Sequence, residues 1–346
     1  MSVDYKRVVV SRIGGPEVLE VSTEPLPDPA PGEARVRVLA AGVSFGDVLA
    51  RVGALPDAPK PPFTPGFDVT GIVEELGAGV ESPAVGRPVV ALLDGGGGYT
   101  ELSCLPADRL VPLPEGVDPV GSAAAAVNYF AAHQMLHRVA RVEAGQRILV
   151  HGAAGGLGTA LLQLARRAGL EAYGTASKVK HALVGELGAV AIDPREEDFV
   201  ARIRNLTGDG VDAVFDAVGG MSFPRSYRAL RPRGHLVAYG VARAVRDGRR
   251  SRPVAVASFL FVKLAGLLPF GRAATFYTAG GLDESQPGSY REDLAAVMDL
   301  LARGEIEPVI AERLPLVDAA RAHELLGRSA VSGKIVLICA AAEVIN

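Results

Sequence analysis

Short β-branched runs bounded by proline and glycine make up the first third of the chain. Residues 6–10, 34–40 and 69–75 are strand candidates, separated by Pro/Gly clusters at 25–32, 56–66 and 86–88. In the second run Val36, Val38 and Ala40 alternate with Arg35, Arg37 and Leu39, so one face of that strand is expected to be largely polar. Four consecutive glycines, Gly95 to Gly98, exclude a helix interior and predict a mobile or closely packed turn. Over 122–141 the texture changes to alanine-rich helix, with Val127, Phe130, Ala131 and Met135 near a 3.6-residue period.

Beyond Gly145 the pattern becomes strand, helix, strand. Apolar runs at 148–150, 172–175, 189–192, 213–216 and 236–239 alternate with helices expected over 157–168, closed by Gly169, and 178–187, closed by Gly188. This spacing predicts parallel βαβ units, and the uninterrupted apolar runs fit a sheet covered on both faces. The fold class is therefore α/β: a doubly wound parallel sheet domain joined to a mostly-β domain. Leu294, Val297, Met298 and Leu301 mark an amphipathic helix over 291–301, followed by a helix over 318–326 and a closing strand at 334–338. The stretch 254–270 stands apart, because it carries no charge from Val254 to Val262 before Lys263 interrupts it. It is too short to span a bilayer. A buried or interface helix is the expectation, with a lid over an apolar substrate and membrane-surface attachment as alternatives.

At roughly 150 residues per domain the 346 residues suggest two domains. An apolar fraction of 49% and a charged fraction of 22% exclude a largely disordered chain. A net charge of -3 without any basic block disfavours a nucleic-acid partner, which would need a basic field. Cys104 and Cys339 are too few for a disulfide framework or a four-cysteine zinc site. No targeting pattern precedes the first strand, and a soluble protein of the reducing cytoplasm is expected.

The sharpest chemical signal is the run His151-Gly152-Ala153-Ala154-Gly155-Gly156-Leu157-Gly158, entered from an apolar strand and left through a helix. It gives A-x-G-x-x-G, with alanine in place of the first glycine of the usual dinucleotide fingerprint. Gly155 would admit a pyrophosphate close to the backbone, and Gly158 would allow tight helix–strand packing. The positive helix end would hold the phosphates. A cofactor with a free 2′-hydroxyl normally meets a carboxylate after the second strand. Here that region reads Thr175-Ala176-Ser177-Lys178-Val179-Lys180. Ser177 and Lys178, with Arg195 past the third strand, can instead donate to a 2′-phosphate, so NADPH is the expected cofactor.

With these residues in view the sequence resembles the zinc-independent quinone oxidoreductase branch of the medium-chain dehydrogenase/reductase superfamily. The resemblance runs through Gly15-Pro16-Glu17-Val18-Leu19, the loop Ala41-Gly42-Val43-Ser44-Phe45-Gly46-Asp47, Pro65-Gly66-Phe67-Asp68-Val69-Thr70-Gly71, Val127-Asn128-Tyr129, the glycine turn, Gly174-Thr175-Ala176-Ser177-Lys178 and Gly333-Lys334-Ile335-Val336-Leu337. It implies a GroES-like catalytic domain over 1–125, completed by 281–346, around a Rossmann domain over 126–280. It also implies a homodimer joined through an edge strand at 273–279, and an edge strand of this kind needs covering on general grounds. The zinc-using branch places a cysteine in the first loop and a histidine–glutamate pair in the second. Here Ser44-Phe45 and Phe67-Asp68 stand there, so no metal is expected. Two departures are Phe45, where the family often has tyrosine, and Pro194, where it commonly has another tyrosine near the adenosine phosphate.

What the resemblance implies is NADPH-dependent hydride transfer to a small apolar electrophile, a quinone or an α,β-unsaturated carbonyl compound. Candidate catalytic residues are Asn128, Tyr129, Ser44, Asp47 and Tyr239, with Asp47 more readily a loop-capping carboxylate than an acid. The cofactor set is Gly152, Ala153, Ala154, Gly155, Gly156, Leu157, Gly158, Thr175, Ser177, Lys178, Arg195 and Gly240. His133 and His137 share a helix face but lack the glutamate of a metal motif, and His151 suits packing better than base catalysis. Two rivals stand beside this reading: an enoyl-thioester reductase of fatty-acid or polyketide type, and a non-catalytic NADPH-binding regulator.

Overall fold

A computed structural model describes residues 4–55, 58–246, 249–267, 271–278 and 283–339. The chain divides into two compact units, residues 1–130 with 290–346 and residues 131–289. In the first, β1 (Asp4–Val10) pairs antiparallel with β2 (Leu19–Pro25). Then come β3 (Glu33–Val43), helix α1 (Phe45–Arg51), β4 (Asp68–Leu76), β5 (Pro88–Leu92), β6 (Leu102–Pro106) and β7 (Val111–Pro112). Arg35 in β3 is buried, contrary to the polar face expected there: its guanidinium pairs with Glu75 at 2.6 Å and donates to the Pro27 carbonyl at 3.1 Å. A neighbouring strand supplies the charge that lets it go inside. Gly95, Gly96 and Gly97 all have positive φ, and a Cβ on Gly98 would overlap the Asp68 carbonyl, so the glycine run is a closely packed turn.

Helix α2 (Pro119–His133) continues as a π-helical stretch (Gln134–Ala140), where an unbroken α-helix to 141 was expected. The second unit then alternates β8 (Arg147–His151), α3 (Gly156–Arg167), β9 (Glu171–Thr175), α4 (His181–Glu186), β10 (Ala189–Ile192), α5 (Phe199–Thr207), β11 (Val211–Asp216), α6 (Ser222–Ala229) and β12 (Leu230–Ala238). A short hairpin follows, β13 (Val245–Arg246) with β14 (Arg249–Arg250), then α7 (Arg252–Ala265) and β15 (Ala273–Phe276). The sheet is six-stranded and parallel in the order β10-β9-β8-β11-β12-β15, the doubly wound arrangement whose order reverses beside β8. Leu149, Tyr173, Ile192, Phe199, Ile203, Val214, Phe223 and Leu236 form its core. The apolar stretch is α7, with Ala255, Ser258, Val262 and Ala265 buried at helical spacing and Val256, Phe259, Leu260 and Leu264 exposed; 268–270 lie outside the described residues. Phe259 stacks on Phe276 of the edge strand β15, with ring centroids 4.4 Å apart. Residue 279 of the expected edge strand is also outside the described residues.

The chain returns to the first unit through α8 (Ser289–Ala302), β16 (Ile310–Pro315), α9 (Ala319–Gly327) and β17 (Lys334–Ile338). Its main sheet runs β16-β17-β3-β4-β5-β7, with β6 also on β3, around Val8, Val36, Val38, Val69, Val89, Tyr99, Leu110 and Leu337. Among the described residues no helix is long and apolar enough to cross a membrane.

Candidate active site

In the parallel-sheet unit the candidate cofactor residues gather at the C-terminal ends of β8, β9, β10 and β12, where doubly wound sheets bind ligands. Gly152 leaves β8 with φ +66°, and Gly155 begins α3 with no side-chain cap on the helix. The first-turn N–H groups of Gly156, Leu157 and Gly158 therefore have no intrahelical acceptor and no capping side chain, which suits an anion. A Cβ on Gly158 would overlap the Gly152 carbonyl oxygen and lie 2.7 Å from the Ala153 carbonyl carbon. One on Gly174 would sit 2.6 Å from the Ala153 Cβ. Glycine at both places is what lets α3 and β9 close around buried Ala153.

Beneath this turn lies a polar chain that single-sequence reasoning missed. Ser222 and Ser226 donate to Asp216 Oδ2 at 2.8 and 2.7 Å, while the N–H of Val218 donates to Oδ1 at 2.7 Å. Because Ser226 gives its only proton to Asp216, it must accept from His151 Nε2, 2.9 Å away. His151 Nδ1 is then the acceptor for the Thr175 hydroxyl at 3.0 Å, and Thr175 Oγ1 receives the Gly152 N–H at 3.3 Å. Burial holds the His151 pKa below its usual value despite Asp216 nearby, so the ring is neutral and the chain has one direction. Thr175 is buried with its hydroxyl engaged here, so it supports the turn from below. Tyr239 follows β12, its N–H donating to the Asp216 carbonyl at 3.0 Å and its hydroxyl pKa raised by burial and by Asp216. Gly240 lies against Ala217, where a Cβ would be 3.1 Å from the alanine Cβ. Ser177 is half-buried, while Lys178 and Arg195 are exposed past β9 and β10.

In the mostly-β unit, Ser44 precedes α1 and is half-buried. Asp47 closes the loop, accepting the Ser44 N–H at 2.8 Å and the Gly66 N–H at 2.7 Å. Burial pushes its carboxyl up to about 7, with those amides and Lys334 acting the other way. Asp68 accepts the Gly42 N–H at 2.5 Å, and burial raises it to about 6. Lys334, buried at the start of β17, has Nζ 3.8 Å from Asp68 Oδ2 and donates to Ser44 Oγ at 3.0 Å. A Cβ on Gly42 would lie 2.8 Å from that Nζ, which explains glycine there. Tyr99, also fully buried, pairs its hydroxyl with His323 Nε2 at 3.2 Å, and burial lowers His323 to about 3. Asn128 is buried on α2, and the Tyr129 hydroxyl donates to the Glu307 carbonyl at 3.4 Å. The rings of His133 and His137 lie 4.7 Å apart. Lys334, Tyr99 and His323 come from distant parts of the chain, and no spacing in the sequence announces them.

Two family models match, one described as an alcohol dehydrogenase GroES-like domain over residues 30–115 and one as a zinc-binding dehydrogenase over 187–337. A synaptic vesicle membrane protein VAT-1 homolog of Danio rerio is 32% identical over 340 residues, covering 96% of this chain and 70% of its own. A 2-haloacrylate reductase of Burkholderia sp is 32% identical over 95% of this chain and 98% of its own length. Escherichia coli quinone oxidoreductase, solved in complex with NADPH, superimposes with a TM-score of 0.83 at 29% identity, covering 96% of this chain and 99% of its own. The chain belongs to the medium-chain dehydrogenase/reductase superfamily, in its zinc-independent, quinone-oxidoreductase-like branch. The residues present do not fit a zinc ion. Beside Ser44 and Asp68 stands the Lys334 ammonium, a donor-only cation that would repel a divalent one, and no group of three His, Cys, Asp or Glu side chains assembles among the described residues.

Proposed function

We infer that this chain is an NADPH-dependent oxidoreductase of the quinone and enone reductase type, working without a metal. The observation that carries this is the uncapped N-terminus of α3 behind the 152–158 glycine turn, together with Ser177, Lys178 and Arg195 at the ends of the neighbouring strands. The 152–158 turn would hold the pyrophosphate, with Gly240 allowing close approach, and Lys178 and Arg195 would meet the 2′-phosphate. Relatives such as the Escherichia coli quinone oxidoreductase are solved in complex with NADPH, which favours the same cofactor here. Bound there, NADPH would supply the hydride.

The chain's own residues would position the acceptor and stabilise charge on its oxygen. Ser44 is the strongest donor candidate: Lys334 donates to its Oγ, so the serine proton is directed elsewhere. Asn128 and Tyr239 are further polar contacts, whereas Asp47 holds the loop and the Tyr129 hydroxyl is engaged by the Glu307 carbonyl. The acceptor is a small apolar electrophile, a quinone or a conjugated carbonyl compound. Two copies would join through β15, whose outer edge has no strand partner among the described residues. One observation favours enoyl thioesters as a second reading: a cavity of about 930 Å³ between Met221, Pro224, Val254, Ala257 and Phe261, apolar enough for an acyl tail.

The test is steady-state oxidation of NADPH, beside NADH, with a para-quinone, an ortho-quinone, a 2-alkenal, an enone and an enoyl thioester, followed by product identification. NADPH-dependent turnover of quinones or enones is expected. Turnover of the thioester alone would move the assignment to the second reading, and tight NADPH binding without any turnover would support a non-catalytic regulator.

A further inference from the structure

We propose that Asp193 is the positioning residue for recognition of the 2′-phosphate: its one carboxylate ties the backbone of Lys178 to that of Arg195. The inference rests on the NADPH reading above and names what gives that site its shape. Neighbours β9 and β10 end level, with Thr175 opposite Ile192, and the Ala176 N–H donates to the Ile192 carbonyl at 3.0 Å. Beyond that bond the two chains part. One goes into Ser177 and Lys178, the other into Asp193, Pro194 and Arg195.

Asp193 rejoins them. Its Oδ2 accepts the Lys178 N–H at 2.8 Å and its Oδ1 the Arg195 N–H at 2.9 Å. The carboxylate is buried, and these amides hold its pKa below the usual range, so it stays ionised. Because β10 is the edge of the sheet, with β9 its one neighbour among the described residues, no other strand described there holds its end in place. The clamp uses both carboxylate oxygens on backbone donors and leaves the Lys178 and Arg195 side chains outside. Among the described residues the Lys178 ammonium pairs with exposed Glu196, at 4.0 Å, a contact too weak to withhold it from a phosphate. A carboxylate beside a phosphate would normally repel it. This one is screened by the two amides it accepts from, and it orders the cations that bind the phosphate.

The experiment measures calorimetric affinity of the full chain for 2′-phospho-AMP and for AMP, in the wild type, Asp193→Ala and Asp193→Asn. The wild type should favour 2′-phospho-AMP. Asp193→Ala should lose about tenfold in that affinity, the value of one charge-assisted contact set, with AMP affinity unchanged. Asp193→Asn keeps one acceptor and turns a donor toward the other amide, so it should fall between. KM should split the same way, rising for NADPH and holding for NADH. Should the alanine variant fail to fold, the isosteric asparagine variant decides the matter alone. Equal weakening of both nucleotides, or of neither, would overturn the proposal while leaving the NADPH assignment standing. A wild type that does not distinguish the nucleotides would remove that assignment and this inference with it.

Discussion

Removing the Ser226 hydroxyl tests whether the polar chain under the glycine turn stabilises the parallel-sheet unit. Ser226 is fully buried, accepts from His151 at 2.9 Å and donates to Asp216 at 2.7 Å. Ser226→Ala leaves the His151 N–H with no acceptor and takes one donor from Asp216, which keeps Ser222 and the Val218 amide. A buried donor left unpaired costs about 1–3 kcal/mol, and a bond to a charged group contributes about 1.5–3 kcal/mol. Allowing for relaxation, a net loss of about 2–4 kcal/mol is expected. For a unit of this size that is roughly 5–15 °C in Tm. With no tryptophan in the chain, urea unfolding is best followed by far-UV circular dichroism and tyrosine fluorescence. Thr175→Val breaks the chain at its other end, and because both substitutions act on the same imidazole their costs should fall short of additive by about 1 kcal/mol. A loss below about 0.5 kcal/mol for Ser226→Ala, or strict additivity of the pair, would refute the single directed chain.

Stability should also depend on pH through Asp47 and Asp68, raised to about 7 and about 6 from 3.8. The folded chain retains protons that the unfolded chain releases, so Tm should fall as pH rises from about 4 to 7, and Asp68→Asn should flatten the lower part of that slope. Lys334, lowered by burial, acts in the opposite sense at higher pH, adding stability as pH climbs toward 10.5. Gly158→Ala places a methyl group against the Gly152 carbonyl, so NADPH affinity by fluorescence enhancement should fall at least tenfold, an effect equivalent to about 1.4 kcal/mol. Lys178→Ala combined with Arg195→Ala should raise KM for NADPH severalfold and leave that for NADH unchanged.

The parallel strands were legible because a sheet covered on both faces requires unbroken apolar runs, and 148–150, 172–175 and 189–192 have them. The strands of the other unit were harder. Ile310–Pro315 carries Glu312 and Arg313 and shows no strand period, yet it pairs with β17. Arg35 looked solvated because its partner Glu75 lies on another strand, and pairing across strands is invisible in a linear pattern. Helix α6 is short, polar and contains Pro224, so the Ser222 and Ser226 that hold Asp216 had no announced position. The glycine turn was readable as local chemistry. The support beneath it, and Lys334 beside Ser44, depend on contacts that only the tertiary fold creates.

Strand β17 is an interior strand, with β16 on one side and β3 on the other. Residues 131–289 contain every strand of their own sheet, so that unit can close while later residues are still being synthesised. The 40–43 stretch of β3 has no such independence, since its partner on that edge is Ile335 to Ile338. A nascent chain therefore carries an open, apolar sheet edge from early in translation until residues 335–338 are made. That edge is a template for pairing with other chains, which makes β3 the segment a ribosome-associated chaperone would need to cover. A chain cut before residue 334 would keep its Rossmann unit and lose the strand that seals the other one.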